Sequence, residues 1–151
     1  EGLVFSRRIA EVLPAELRPW SEAVPDRRPA GLVPGSVRRE LQETMTTRVG
    51  VLRSAAGLAE ARAVLDRLAG EPADTIDQDA WETTNLLTVA TALAESAAQR
   101  RETRGSHWRE DHPDRDDARW AGHFDVTLRE GAYAVAFRPA PATDTPGGSA
   151  A

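Results

Sequence analysis

The sequence contains no cysteine, a single methionine and no long apolar run. Without cysteine the chain can form no disulfide, no thiolate zinc site and no cysteine nucleophile, and it suits a reducing compartment, so we expect a cytoplasmic protein. The apolar runs fall far short of the roughly 20 residues that a membrane helix needs. No signal-peptide pattern opens the chain, and we expect no membrane partner.

The chain is acidic, with a formal net charge of -5 at pH 7. Nucleic-acid binding requires clustered cations that carboxylates do not oppose, so we expect no nucleic-acid partner. The 151 residues suffice for one domain with a real core. Because the chain starts at Glu1 and its only methionine is Met45, we expect it to be a piece of a longer protein.

Hydrophobic periodicity predicts a mainly α fold. Residues 1–13 form one helix, and residues 14–35, which include five prolines, form an extended linker that crosses the surface. Residues 36–104 hold three amphipathic helices, and because none can bury its apolar stripe alone they predict a three-helix bundle. A charged loop over residues 105–123, a small β-hairpin over 124–138 and a disordered tail over 139–151 complete the expected order.

Helix caps and apolar stripes define the three central helices. The predicted N-caps are Ser36, Ser54 and either Asp77 or Asp79. The residues expected to face the core are Val37, Leu41, Met45 and Val49 in the first helix, Leu58, Ala61, Val64, Leu65 and Leu68 in the second, and Trp81, Leu86, Val89, Ala90, Leu93 and Ala97 in the third.

Residues 100–117, which we call the charged segment, hold five arginines, six carboxylates and two of the three histidines. A metal site could draw on His107, His112 and His123, since imidazole and carboxylate are workable ligands for zinc or iron. Their spacing fits no known ligand pattern, and Pro113 breaks regular structure beside them. We therefore expect no metal-binding residue.

The charged segment could also hold acid–base chemistry. Glu102, Glu110 and His107 are the candidate acids and bases, and Arg101, Arg104 and Arg109 could clamp a dicarboxylate. The competing interpretation is a folded seam in which arginines and carboxylates satisfy one another. We favour the seam, and we expect no catalytic residue. A dinucleotide site would need a glycine-rich loop before a helix, and the sequence has none, so we expect no cofactor on this chain alone.

The run from Arg100 to Pro113, Arg-Arg-Glu-Thr-Arg-Gly-Ser-His-Trp-Arg-Glu-Asp-His-Pro, resembles a family motif of the form Arg-x-Glu-Ser-Arg-Gly-x-His-x-Arg-x-Asp-x-Pro. The motif is typical of the C-terminal region of the succinate dehydrogenase and fumarate reductase flavoprotein superfamily. Thr103 replaces its serine and keeps the hydroxyl. Within the superfamily, the opening Glu-Gly-Leu-Val-Phe over residues 1–5 is similar to the L-aspartate oxidases. The resemblance covers about residues 1 to 125.

This resemblance implies a function for the intact protein. A member of the L-aspartate oxidase branch uses FAD to oxidise L-aspartate to iminoaspartate in NAD biosynthesis. It also implies that residues 1–13 end a flavin-domain helix, that the flavin domain of the same protein is the main partner, and that quinolinate synthase is a further one. The residues expected to dock against the flavin domain are Arg101, Glu102, Arg104, His107, Arg109 and Asp111.

Two alternatives stay open at the level of sequence. The first is a succinate dehydrogenase or fumarate reductase flavoprotein subunit, which belongs to the same superfamily. The second is a free-standing helical interaction module without any flavin relationship.

Overall fold

The computed structural model describes residues 2–17, 19–22, 31–129 and 131–140. The chain divides into two units, Glu1–Ala30 and Gly31–Ala151. In the first unit, helix α1 spans Gly2–Glu16 and its apolar side chains, among them Leu3 and Ile9, are exposed. The helix continues through Pro14, past its expected end at residue 13, and the Leu17 N–H donates to the Leu13 carbonyl at 2.8 Å.

The second unit is mainly helical, as predicted, and carries a two-stranded antiparallel sheet. A 3₁₀ turn over Gly35–Val37 leads into it. The other elements are α2 (Arg38–Arg48), β1 (Leu52–Arg53), α3 (Ala55–Ala69), α4 (Gln78–Gln99), β2 (Trp108–Arg109), α5 (Asp117–Trp120), β3 (Gly122–Arg129) and β4 (Ala132–Pro139). No described helix combines the length and the apolar character that a bilayer span requires.

Two of the predicted N-caps are confirmed and one is wrong. The Ser54 hydroxyl accepts from the Gly57 N–H at 3.2 Å, and the Asp77 carboxylate accepts from the Ala80 N–H at 2.8 Å. Ser36 does not cap α2, because it lies inside the 3₁₀ turn, which runs directly into the helix.

The core lies where α3 packs against α2 and α4. The predicted stripes of α2 and α3 lie in it or against it. Its buried members are Val33, Val37, Leu41, Val49, Leu58, Ala61, Leu65, Leu68, Leu87, Ala90, Ala94 and Ala97, and Met45, Val64 and Ala98 pack on them.

The predicted stripe of α4 is largely wrong. Trp81, Leu86, Val89 and Leu93 are exposed, and the helix buries the small residues of the opposite face instead. Short side chains let helix backbones approach closely, so the alanine face packs inward although it is less bulky. The residues that α4 buries are Ala80, Thr83, Leu87, Ala90, Ala94 and Ala97.

The end of the predicted linker belongs to the core rather than to the surface. Leu32 and Val33 are buried. The Val33 N–H donates to the Thr84 hydroxyl of α4 at 3.0 Å, and the Leu32 carbonyl accepts from the Ala73 N–H at 2.8 Å. These bonds fix the chain where it enters the helical unit.

The hairpin is present and is longer than predicted. Phe124 pairs with Phe137 and Val126 with Val135 across β3 and β4. The Tyr133 hydroxyl donates to the Thr88 carbonyl of α4 at 3.0 Å, so the sheet has the support that an isolated hairpin lacks. Of the predicted disordered tail, Pro139 lies in β4 and residues 141–151 lie outside the described residues.

Neighbouring leucines test which face of α4 is in the core. Leu87 is 6% exposed and Leu86 43%. We expect Leu87→Ala to lower the free energy of unfolding by about 2 to 5 kcal/mol, because it leaves a cavity, and Leu86→Ala to lower it by less than about 1 kcal/mol. Urea denaturation followed by circular dichroism measures both, and equal losses would contradict the assignment.

Candidate functional site

A short parallel strand pair places the charged segment against the turn between α2 and α3. β1 and β2 pair Leu52 with Trp108 and Arg53 with Arg109. The Glu110 N–H donates to the Arg53 carbonyl at 2.8 Å. Strands of two residues are too short to show a period in sequence, so the sequence does not reveal this pairing.

A tight turn then folds the segment back on itself. Arg104 and His107 exchange two backbone hydrogen bonds of 2.8 and 3.0 Å. Gly105 has a φ of 58°, a left-handed conformation that favours glycine. The Thr103 hydroxyl accepts from the Arg109 N–H at 3.0 Å and bonds the His112 carbonyl at 3.0 Å. The hydroxyl of Thr103, which stands where the motif has serine, therefore stabilises the turn.

Arg109 is buried, with 2% of its surface exposed. Its guanidinium meets both carboxylate oxygens of Asp111, at 2.8 and 2.7 Å. The remaining nitrogen, Nη1, donates to the carbonyls of Ala97 at 3.1 Å and Arg100 at 2.9 Å. The last carbonyls of a helix have no partner inside it and carry partial negative charge, so Arg109 caps the end of α4.

Glu102 is fully buried and is the acceptor at the centre of the segment. It accepts from Arg100 at 2.5 Å, from Arg104 at 2.7 and 3.0 Å, and from the Asp116 N–H at 2.9 Å. Burial raises the pKa of the Glu102 carboxyl, but these donors outweigh burial and hold the pKa below its usual range. Arg104 also bonds Asp117 at 2.6 Å.

Arg100 joins this centre to the base of the hairpin. It donates to the carbonyls of Trp120 and Gly122, at 2.9 Å each. Its guanidinium lies 5.1 Å from the ring centroid of Phe124, within cation–π range. The two strands are therefore anchored to the end of α4 through one arginine.

His107 links the segment to the α2–α3 turn. Its Nδ1 lies 2.6 Å from Nη1 of Arg53 and its Nε2 lies 3.2 Å from the Arg100 carbonyl. A guanidinium can only donate, so Nδ1 accepts and Nε2 carries the proton of a neutral ring. Burial lowers the pKa of His107, and the positive charges of Arg53, Arg109 and Arg100 lower it further.

The structure brings five of the six predicted docking residues together and leaves one apart. Glu102, Arg104, His107, Arg109 and Asp111 form the bonded segment described above. Arg101 is exposed and makes no hydrogen bond or ion pair within the described part of the chain. Four further residues belong to this bonded network, although the sequence did not single them out for docking: Arg53 bonds His107, Arg100 and the Asp116 N–H bond Glu102, and Thr103 bonds His112.

The three histidines do not meet. His107 contacts Arg53, His112 lies 3.6 Å from Asp111, and His123 lies 3.5 Å from Asp125 on the hairpin. Among the described residues, no three histidine or carboxylate side chains are arranged as a metal site.

The charged segment has the chemistry of a structural support, in which arginines and carboxylates bond one another. We call the network of Arg100, Glu102, Arg104, Arg109 and Asp111 the lock. A general base near neutral pH needs a raised carboxyl pKa, whereas the pKa of Glu102 is lowered and that of Asp111 is lowered to about 2 by the Arg109 guanidinium. All buried side-chain nitrogen and oxygen atoms of the described residues have partners. The cations are all arginine, because the chain contains no lysine, and arginine suits such forked bonding.

The N-termini of α3 and α4 do not fit the pyrophosphate of a dinucleotide cofactor. A pyrophosphate binds at a free helix N-terminus behind a glycine-rich loop. The N-termini of α3 and α4 are instead occupied by their own caps, Ser54 and Asp77, and the carboxylate of Asp77 would repel a phosphate.

Replacing Glu102 tests the lock. We expect Glu102→Gln to lower the free energy of unfolding by about 3 kcal/mol, because it removes a buried counterion from the partly buried Arg100 and Arg104. Glu110→Gln is the matched control, since Glu110 is exposed in the same segment. Urea denaturation measures both variants, and equal midpoints would contradict a structural role for Glu102.

The neutral state of His107 predicts a dependence on pH. As the pH falls below about 6.5, the unfolded chain takes up a proton that the folded chain resists, so the folded state loses stability. We expect the loss between about pH 7 and pH 5.5 to be larger for the wild type than for His107→Gln. His123→Gln, on the exposed hairpin face, is the matched control for replacing a histidine. An unchanged pH dependence in His107→Gln would refute this assignment.

Comparison with known proteins identifies the family. The family model described as "Fumarate reductase flavoprotein C-term" matches residues 38–146. That range holds α2, α3, α4, the charged segment and the hairpin, so the match covers the elements that build the lock.

Curated relatives come from two branches of this family. The chain is 41% identical over 150 residues to an L-aspartate oxidase of Streptomyces coelicolor, covering 85% of this chain and 26% of that protein. It is 35% identical over 117 residues to a succinate dehydrogenase flavoprotein subunit of Coxiella burnetii, covering 70% of this chain and 19% of that protein. The chain therefore spans about a quarter or less of the length of these two relatives.

A solved structure shares the fold. A quinol–fumarate reductase chain from E. coli matches with a TM-score of 0.61 at 20% identity, covering 95% of this chain and 25% of that chain. The family match, the relatives and the shared fold agree with the resemblance seen in the motif. The chain belongs to the family of fumarate reductase flavoprotein C-terminal domains.

Proposed function

We propose that the chain is the C-terminal helical domain of an FAD-dependent L-aspartate oxidase. The observation that carries this proposal is the 41% identity to the Streptomyces enzyme over 85% of the chain. The intact cytoplasmic protein oxidises L-aspartate to iminoaspartate and feeds quinolinate synthase in NAD biosynthesis. Because this chain spans 26% of that relative, FAD and substrate are assigned to the rest of the polypeptide.

In this proposal the domain supports the flavin domain and is inactive alone. Helices α2, α3 and α4 act as one three-helix bundle, and residues 1–13 end a helix of the flavin domain. The charged segment fastens the two domains together. Exposed Arg101 and partly exposed Arg104, His107 and Asp111 are available for docking, whereas buried Glu102 and Arg109 act from inside by holding the segment in shape.

A second candidate is a succinate dehydrogenase flavoprotein subunit. The 35% identity to the Coxiella protein favours it. It shares the domain and the flavin but differs in substrate, since succinate lacks the amino group of aspartate.

The substrate distinguishes the two candidates. We expect the full-length polypeptide that carries this chain to bind FAD and to oxidise L-aspartate more than about 100-fold faster than succinate, because a site built to hold an ammonium group is left unpaired by succinate. Flavin absorbance measures FAD, and bleaching of the flavin under anaerobic conditions measures reduction by each substrate.

The control is the same polypeptide with no substrate added. Reduction by succinate but not by L-aspartate would reject the oxidase assignment in favour of the dehydrogenase. Absence of bound FAD would reject both.

A further inference from the structure

The outer face of α4 is apolar and uncovered. Trp81, Leu86, Val89 and Leu93 are 51%, 43%, 67% and 44% exposed. With 3.6 residues per turn, the four side chains fall within an arc of about 140° on the face opposite the alanine face. We call these four residues the α4 face.

The α4 face lacks the charge that covers the neighbouring helices. Residues 85, 92 and 96, which lie among the four, are Asn, Ala and Ser. Glu82 is the exception, and it bonds Arg38 at 3.0 Å. A helix that is apolar on both faces is typical of a buried position.

Helices α2 and α3 present the opposite character to solvent. Arg39 pairs with Glu43 at 2.8 Å, and Arg48 pairs with Glu60 at 3.0 Å. A solvent-facing helix in this chain therefore carries ion pairs. On this side of α4 the one ion pair is that of Glu82 with Arg38 at the start of the helix, so the part that holds Leu86, Val89 and Leu93 differs from the ion-paired surfaces of α2 and α3.

We propose that the flavin domain of the same polypeptide covers the α4 face through an uncharged, apolar surface. This proposal rests on the proposed function and names the contact that function requires. About three quarters of the Streptomyces relative lies outside its match to this chain, which covers 26% of it. A polypeptide of that length supplies the occupant, and the covalent connection holds it at high effective concentration.

A second copy of the chain suits the α4 face less well. A stable dimer buries about 800 Å² on each partner, and four half-exposed side chains on one helix supply only part of such an area. A covalently linked domain needs less area, because its association is intramolecular.

The lock and the α4 face share one helix. Arg109 caps the end of α4, and Arg100, which follows its last residue Gln99, anchors the hairpin. Contacts within the unit therefore fix the position of α4. Because the α4 face needs no ordering when a partner binds, binding costs little conformational entropy.

Thiol accessibility tests the proposal, because the chain has no cysteine of its own. Val89→Cys adds one thiol on the α4 face, and Glu43→Cys adds one on the ion-paired surface of α2. Each variant is made in the 151-residue chain and in the full-length polypeptide. The rate of alkylation by iodoacetamide is followed by mass spectrometry of the peptide that holds the thiol.

We expect alkylation at Val89→Cys to be about 10-fold or more slower in the full-length polypeptide than in the 151-residue chain. Glu43→Cys should react at equal rates in both. Equal rates at Val89→Cys would overturn the proposal. Protection already present in the short chain and rising with its concentration would also overturn it, in favour of a second copy.

The alkylation rate of Arg101→Cys, measured in the short chain and in the full-length polypeptide, distinguishes failure of this proposal from failure of the proposed function. Protection at Arg101→Cys with none at Val89→Cys means that the charged segment docks and the α4 face does not, which overturns only the present inference. Because the substrate assay is independent of both thiols, an incorrect choice between aspartate and succinate leaves this test intact.

Discussion

Two buried charges hold the end of this domain together. The Glu102 carboxylate accepts hydrogen bonds from Arg100, Arg104 and the Asp116 N–H. Arg109 binds Asp111 and caps the end of α4. A buried charge without partners is strongly unfavourable, so each partner must stay in place for the others to be tolerated. The helix end, the tight turn and the hairpin base are therefore coupled through side chains rather than through an extended apolar core.

In this coupling the acidic, basic and imidazole side chains of the segment bond one another and the helix end. His107 uses both ring nitrogens, one toward Arg53 and one toward the Arg100 carbonyl. Hydrogen bonds from arginine lower the pKa of the Glu102, Asp111 and Asp117 carboxyls. Groups whose bonds are already made lock a structure, whereas a catalytic group must be free to meet a substrate.

Much of the fold could be predicted from local signals. Ser54 is a recognisable cap and the third cap narrows to Asp77 or Asp79, because a short polar side chain precedes an apolar period in each case, and the alternation of β3 and β4 identifies the hairpin. The stripe of α4 could not be chosen correctly, since the helix is apolar on two faces. Leu86 and Val89 are the larger apolar side chains and were therefore predicted to face the core. Close packing of the helices instead buries the alanines of α4.

By itself the sequence determined the family, through the long motif in the charged segment, and the mainly helical class, through its periods and caps. The tertiary structure alone decided which charges are internal. No hydrophobic period or charge pattern distinguishes buried Arg109 from exposed Arg101, because the contacts that bury Arg109 are set by where α4 ends and by the two-residue pairing of β1 with β2. Burial depends on contacts distant in sequence, and those exist only once the helices have packed.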